Sequence, residues 1–340
     1  LLDSQILTLL RKYFDKDSSM NSPDKRCIHQ LLKFFATKKC DVSPFFYYIE
    51  SLVKNENLNE AKKQKYAIDA AETILKVHLM DEEIFLNEDC VTPDWERFEN
   101  YKKQYDISSD CIKDLAPIWY KKNFSGIIED PTFIQDSKDI VSYTYVALLK
   151  MILIHKTSGR GVVKKLQDFF SFLEHEDFNV FLMRESLIAA YYFSNNLPDK
   201  FIQIQSDMTF DKVRQKILST AWDFLLLRMP EIQLMYGTAK DTTFSYVCSA
   251  DRAVQKLGRL FTIELVSSQA QIPSIISLKH KEISQDLGEE VANKLCSKLR
   301  EQNERRQVNL ILNGVNPVLK EKLEVLASNL EDQVRVLCKQ

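Results

Sequence analysis

Four carboxylates stand at positions where a purely structural pattern favours another residue type. Asp3 follows two leucines in LLDSQILTLL, and Glu50 borders the apolar stripe of a predicted helix over residues 44–54. Asp223 lies inside the apolar run AWDFLLLRM, and Asp251 stands where a β-like run meets a helix in FSYVCSADRAVQKLGRLF. A carboxylate in such a place can cap a helix, form an ion pair or hold a divalent cation. The sequence therefore poses a choice between structural roles and metal chemistry.

Asp223 carries the most information of the four. An ionised carboxylate in a helix that is apolar on every side costs several kcal/mol unless it meets a cation or a metal. Arg228 is the nearest basic residue in that helix, but it lies five positions away, and a good intrahelical pair needs a spacing of three or four. Asp223 therefore requires a partner from elsewhere in the fold, and both an ion pair and a ligand role stay open.

The other three acids each have a structural explanation when they are taken alone. Ser249 and Asp251 both suit the N-cap of the helix that follows them. Asp3 fits a turn or cap residue after a short strand, and Glu50 fits a solvated helix position. Only their combination points to chemistry.

The elements that must position these acids are mostly helical. Seven glycines and nine prolines interrupt 340 residues, and helix-forming residue types dominate the long segments. Apolar spacing predicts helices over residues 4–14, 23–37, 44–54, 57–79, 93–104, 108–121, 137–156, 162–175, 178–195 and 209–230, the last stopping at Pro230, with further helices after residue 277. Two β-like runs, 244–248 and 260–266, enclose the helix of Asp251 and predict a strand–helix–strand unit.

Taken in chain order, these motifs resemble the PIN-domain nucleases. The resemblance rests on LLDSQILTLL, SPFFYYIESL, STAWDFLLLRM and FSYVCSADRAVQKLGRL. It implies an α/β fold with a small parallel sheet flanked by helices. The discontinuous nuclease core would comprise residues 1–55 and 205–275, a large helical insertion would occupy 56–204, and a C-terminal helical region would occupy 276–340.

The same resemblance implies a function. Asp3, Glu50, Asp223 and Asp251 would form a four-carboxylate site for Mg²⁺ or Mn²⁺ that hydrolyses phosphodiester bonds, in RNA rather than DNA. In substrate or supporting roles, Ser249 would orient a carboxylate or a metal-bound water, and Arg252 and Arg228 would meet the phosphate. The family also suggests a role as a toxin or in antiviral defence, and an inhibitory or complex-forming protein partner.

A second hypothesis is a helical scaffold or partner-binding protein on a catalytically degenerate α/β core, whose acids are caps and ion pairs. The 46 basic and 48 acidic residues create no global field, although a local basic patch is compatible with this balance. Seven scattered cysteines without CxxC spacing predict no disulfide framework and a reducing, cytoplasmic location.

No membrane span is expected, since the longest apolar stretch, residues 145–154, is too short to cross a bilayer and contains Lys150. The start of the chain does not resemble a signal peptide. The heptad-like apolar spacing of the last predicted helix suits either internal packing or a homodimer contact.

Overall fold

Helices make up most of the structure, a computed structural model. It describes residues 1–54, 59–126, 130–175, 178–196, 202, 207–236, 245–265, 275–313 and 320–338. In chain order the elements are α1 (Ser4–Phe14), α2 (Ser22–Lys38), α3 (Phe45–Lys54), α4 (Glu60–His78), α5 (Glu82–Glu88), α6 (Trp95–Tyr105), α7 (Ile112–Tyr120), α8 (Pro131–Thr157), α9 (Val162–Leu173), α10 (Met183–Phe193), α11 (Phe210–Tyr236), α12 (Arg252–Arg259), β1 (Phe261–Leu265), β2 (Ile275–Leu278), α13 (His280–Leu287), α14 (Glu289–Asn313) and α15 (Lys320–Val336). A turn of π-helix, Lys121–Ser125, follows α7.

The chain divides into two compact units. Unit 1 contains residues 1–136 together with 246–250, and unit 2 contains residues 137–245 together with 251–340. The predicted domain boundaries at 55, 205 and 275 stay a prediction. Residues 246–250 return to unit 1 as a short segment, and this return brings Cys248 and Ser249 to the start of the chain.

Unit 1 is a helical assembly around one apolar core. Helix α4 packs against α7, α1 and α3, and α2 packs against α1 and α5. The core includes Leu10, Ile28 and Ile74, each with no exposed surface. In α1 the buried residues Ile6, Leu7 and Leu10 lie on one face, as the apolar spacing predicts. Unit 1 thereby holds α1 and α3 at fixed positions next to α4.

In unit 2, helices pack on helices in the same way. Helices α9 and α10 pack against each other and both contact α14, while α11 contacts α12 and α15. Helix α11 is buried from Thr220 to Pro230 except at Asp223 and Arg228, which are half-buried. The expectation that this apolar run is buried is confirmed. The expected stop at Pro230 is wrong, since α11 continues to Tyr236; the burial of the preceding turns offsets the one hydrogen bond that proline removes.

The predicted α/β class is wrong. In the described residues the sheet has two strands, β1 and β2, and they are antiparallel, with Phe261 opposite Leu278. The expected run 260–266 therefore pairs with the segment that comes next in the chain, and joining two neighbours in sequence costs little loop-closure entropy. The resemblance to the PIN-domain nucleases, which implies a parallel sheet, is wrong for the same reason.

Of the other expected strand, residues 244–248, the described part forms a single isolated β-bridge. Phe244 lies outside the described residues, and Cys248 forms an isolated parallel bridge with Leu2. The helix expected at Asp251 is confirmed as α12. No helix within the described ranges combines the length and apolar character needed to span a bilayer.

Candidate functional site: a carboxylate–serine cluster

Backbone hydrogen bonds on two sides hold the start of the chain in unit 1. The Leu2 N–H donates to the Ser43 carbonyl at 3.2 Å, and the Asp3 N–H donates to the Cys248 carbonyl at 2.9 Å. In return, the Cys248 N–H donates to the Leu1 carbonyl at 2.9 Å. The Leu2 side chain is 1% exposed, so its burial adds to this anchoring. Asp3 consequently has a defined position between two distant parts of the chain.

Asp3 is the N-cap of α1. Its Oδ1 accepts a hydrogen bond from the Gln5 N–H at 3.2 Å, while its Oδ2 accepts one from the Ser249 hydroxyl at 2.7 Å. Ser249 is itself buried, with 8% of its surface exposed. The cap role that sequence reasoning considered for Asp3 is therefore present, and the same carboxylate also faces a buried hydroxyl from residue 249.

Glu50 reaches the same place from α3. The hydroxyl of Ser4, the residue directly after Asp3, donates a hydrogen bond to Glu50 Oε2. Glu50 is half-buried rather than fully solvated. Helices α1 and α3 pack together, so this bond joins two rigid elements. The structure thus forms two hydrogen-bonded pairs, Asp3–Ser249 and Ser4–Glu50, which adjoin because Asp3 and Ser4 are consecutive residues. We call these four residues the carboxylate–serine cluster.

The donor atoms of this cluster match the chemistry of hard divalent cations. Mg²⁺ prefers oxygen ligands and is often held by one or two carboxylates together with waters and substrate phosphates. Asp3 and Glu50 supply two carboxylates, and Ser4 and Ser249 orient them. Within the described part of the chain, no group of three or more His, Cys, Asp or Glu side chains is arranged to hold a metal ion. Asp3 and Glu50 equal in number the one or two carboxylates of a typical Mg²⁺ site.

Cys248 adjoins the cluster but is poorly suited to act as a nucleophile. Burial raises the pKa of its thiol to about 11. A cysteine needs its thiolate form to attack, and a pKa this high keeps the thiol protonated near neutral pH. Cys248 therefore acts through its backbone, which anchors Leu1 and Asp3.

Asp251 and Arg252 belong to unit 2. Asp251 is the N-cap of α12, and its Oδ1 accepts hydrogen bonds from the N–H groups of Ala253 and Val254 at 2.6 and 3.4 Å. Both Asp251 and Arg252 are exposed. The cap role considered for Asp251 is present, and its role as a metal ligand stays a prediction, as does the role of Arg252 toward phosphate.

Asp223 and Arg228 also belong to unit 2, and the structure gives Arg228 a different partner. Its Nη2 donates to both carboxylate oxygens of Glu185, at 2.7 and 2.6 Å, and Glu185 has no exposed surface. The Thr144 hydroxyl also donates to Glu185. Asp223 lies on the same helix as Arg228 and is half-buried. Its ligand role stays a prediction, and so does a phosphate contact by Arg228.

A second ion pair completes what we call the arginine–glutamate network, formed by Arg184, Glu185, Arg228 and Glu231. Arg184 pairs with Glu231, and its guanidinium lies 4.6 Å from the centre of the Phe261 ring. Burial lowers the pKa of Arg184, which is 4% exposed. Two positive and two negative side chains make the network neutral overall.

Sequence reasoning missed Ser4 and this network. Ser4 directly follows Asp3, so the pair Asp-Ser was a usable signal for a hydroxyl near the carboxylate. The pair Arg184–Glu185 lies in the apolar run LMRESLIAAYYF, and the reasoning applied to Asp223, that a charge in a buried helix needs a partner, would have found it.

Comparisons with known proteins identify no relative. No protein-family model matches the chain. No curated protein and no solved structure matches it either. The case for a function therefore rests on the residues and their geometry.

Proposed function

We propose that the chain is a hydrolase that uses Mg²⁺ or Mn²⁺ to cleave phosphodiester bonds, with RNA as its substrate. The supporting observation is the placement of two half-buried carboxylates, Asp3 at the start of α1 and Glu50 on the adjacent α3, each of which accepts a hydrogen bond from a serine hydroxyl. Chain segments far apart in sequence build this cluster, since Asp3 and Ser249 are 246 positions apart.

Asp3 and Glu50 would hold the cation through their carboxylate oxygens. A bound Mg²⁺ or Mn²⁺ lowers the pKa of a water and offsets the charge that develops on a phosphodiester. The part played by the protein is orientation. Ser249 fixes the Asp3 carboxylate and Ser4 fixes the Glu50 carboxylate, because each hydroxyl donates a hydrogen bond to one oxygen and limits rotation of the group.

The test compares variants that remove charge and keep shape. Asp3→Asn retains a good N-cap residue, and Glu50→Gln retains the size and one acceptor oxygen of the side chain. Each is expected to reduce RNA cleavage in Mg²⁺ or Mn²⁺ about 100-fold or more, since even residues outside the ligand set of a metal site cost about 10- to 100-fold. Cleavage is followed on labelled RNA and DNA by gel electrophoresis, with folding checked by circular dichroism.

The matched control is Asp81→Asn. Asp81 is also a helix N-cap of unit 1, and its Oδ1 accepts from the Ile84 N–H at 2.9 Å. This variant should cleave RNA like the wild type. Equal cleavage by the wild type, Asp3→Asn and Glu50→Gln would contradict the mechanism.

One observation favours a second candidate, the partner-binding scaffold. Asp3 and Asp251 both cap helices, which accounts for their position without any catalysis. Under this alternative, Asp3→Asn, Glu50→Gln and Asp251→Asn all leave the protein folded, and no metal supports cleavage of RNA or DNA. The cleavage assay therefore separates the two candidates.

A further inference from the structure

The turn between α8 and α9, in unit 2, concentrates positive charge. Residues 150–168 contain Lys150, Lys156, Arg160, Lys164 and Lys165, and a single acid, Asp168. Five cations against one carboxylate give a local charge of +4 in a chain whose formal net charge is −2. We call these residues the basic corner. Such a positive patch can attract a polyanion locally although the whole chain is nearly neutral.

A cavity of about 510 Å³ opens at the basic corner. Its lining includes the cations Lys150 and Arg160, the acid Asp168 and the hydroxyl side chains Thr157, Ser158 and Ser171. Thr157, Arg160 and Ser171 are exposed, so the cavity is accessible from solvent. Its size lies within the range of ligand-binding pockets. Cationic groups beside hydroxyl donors are the combination that binds phosphate oxygens.

Most of the charge at this corner is available to a ligand. Arg160 forms an ion pair with Asp168 at 3.2 Å. Within the described part of the chain, no ion pair engages Lys150, Lys156, Lys164 or Lys165. The Lys150 ammonium lies 5.3 Å from the centre of the Phe172 ring, and the Lys165 ammonium donates to the His155 carbonyl at 3.5 Å. Asp168 therefore neutralises one of the two cations that line the cavity, and the charge that remains there is that of Lys150.

Two lysines of the basic corner, Lys156 on α8 and Lys165 on α9, lie near His155. The pKa of His155 is lowered by burial first and then by Lys165 and Lys156. The Lys165 ammonium donates to the carbonyl of His155, ten positions earlier, so a cation of α9 lies beside the end of α8, where Lys156 is also found. Convergence of this kind suits a ligand that carries several negative charges.

We infer that the basic corner binds consecutive phosphate groups of a single RNA strand. Lys150 and Arg160 would meet a phosphate in the cavity, while Lys156 and Lys164, which are exposed outside it, would meet the next phosphates along the strand. The charges extend beyond the cavity, which favours a strand over an isolated phosphate. The choice of RNA rests on the proposed function.

The experiment measures binding in EDTA, where no cleavage can occur. A labelled single-stranded RNA of about 12 nucleotides is titrated with the full chain and followed by fluorescence anisotropy at several salt concentrations. Lys156→Gln/Lys164→Gln should bind roughly tenfold more weakly near physiological salt, with a salt slope reduced by about 1.4, because each phosphate contact contributes about 0.7 for single strands. Asp168→Asn should bind about two- to fivefold more tightly, since it removes the acid of the corner.

The matched control is Lys212→Gln/Lys281→Gln, which removes two exposed lysines from α11 and α13 of the same unit. It should bind RNA like the wild type. The inference is overturned if the wild type does not bind RNA, if both lysine pairs weaken binding equally, or if millimolar inorganic phosphate displaces the RNA completely at constant ionic strength. If the protein binds RNA but neither the wild type nor any variant cleaves it, only the proposed function is contradicted. If the Lys156→Gln/Lys164→Gln variant binds and cleaves RNA like the wild type, only the inference is contradicted.

Discussion

In the carboxylate–serine cluster of unit 1, Asp3 accepts a hydrogen bond from the hydroxyl of Ser249. In the arginine–glutamate network of unit 2, Glu185 accepts two from the guanidinium of Arg228. An arginine neutralises the carboxylate that it orients, whereas a serine orients a carboxylate and leaves its charge unchanged. The two regions therefore use acids for different purposes. In the network, each buried charge is neutralised by a partner inside the protein. In the cluster, the carboxylates keep their negative charge and are held in a fixed orientation.

The largest expected effect comes from breaking the network. Arg228→Met leaves Glu185 charged and without its arginine in a site with no exposed surface, which should lower the free energy of unfolding by about 3–5 kcal/mol. Urea unfolding followed by the fluorescence of Trp222, which lies on the same helix, measures the loss.

The double variant Arg228→Met/Glu185→Leu is the control for that experiment. Replacing both charges by apolar side chains is often neutral or stabilising, so the double variant should recover most of the lost stability. If the single and double variants have equal free energies of unfolding, the unpaired charge of Glu185 is not the cause of the lost stability.

A smaller effect is expected from the hydroxyls of the cluster. Ser4→Ala and Ser249→Ala should each reduce RNA cleavage about tenfold and raise the Mg²⁺ concentration needed for half-maximal rate, because each removes a group that positions a ligand carboxylate. A metal titration of the cleavage rate measures both quantities.

Thr8→Ala is the matched control for the serines, since Thr8 also lies on α1 and its hydroxyl donates only to the Ser4 carbonyl among the described bonds. Its metal dependence should equal that of the wild type. If the serine variants unfold more easily but their cleavage rates depend on Mg²⁺ as the wild type does, the cluster has only a structural role, like the arginine–glutamate network.

The smallest effect concerns pH and unit 1. Burial lowers the pKa of His78, whose Nε2 lies 2.9 Å from the Val42 carbonyl oxygen. The unfolded chain takes up a proton near the ordinary pKa of about 6.5, while the folded chain resists it. The contribution of neutral His78 to the free energy of unfolding is therefore fully present above about pH 6.5. It is lost as the pH falls below that value, by up to about 1.4 kcal/mol per pH unit.

His78→Gln should flatten this pH dependence, which urea unfolding between pH 7 and pH 5 measures through Trp119, whose ring contacts His78. His280→Gln, a change on α13, is the control and should retain the wild-type slope. A slope that His78→Gln leaves unchanged would assign the acid sensitivity to other groups.

Local pattern predicted the helices well and the sheet poorly. The spacing in SQILTLLRKYF placed α1 at the residues where it occurs, because a 3.6-residue apolar repeat is encoded within the segment itself. The pairing of residues 261–265 depends instead on which other segment becomes the partner strand. The β-propensity of residues 261–265 does not specify that partner. The helix α5 was missed, since seven residues are too few to show a repeat.

The candidate site was predictable in its acids and not in its contacts. The Asp–Ser sequence at positions 3 and 4 marked a polar start to an apolar helix, and Glu50 stood out at the edge of its apolar stripe. The contact between Ser249 and Asp3 could not be predicted from either segment alone, because the two residues are 246 positions apart and are held together by backbone bonds from Cys248 to Leu1 and Asp3. The partner of Arg228 could not be predicted from its own helix for a related reason, since Glu185 is 43 positions away.

The bridge between Leu2 and Cys248 has a consequence for how the protein is made. A ribosome adds roughly 5–20 residues per second, so Leu2 and Asp3 emerge on the order of tens of seconds before Cys248 exists to receive them. Throughout that interval the segment that carries Asp3 lacks one of its two backbone anchors. The carboxylate–serine cluster can therefore assemble only after Ser249 has been synthesised, 246 positions later than Asp3.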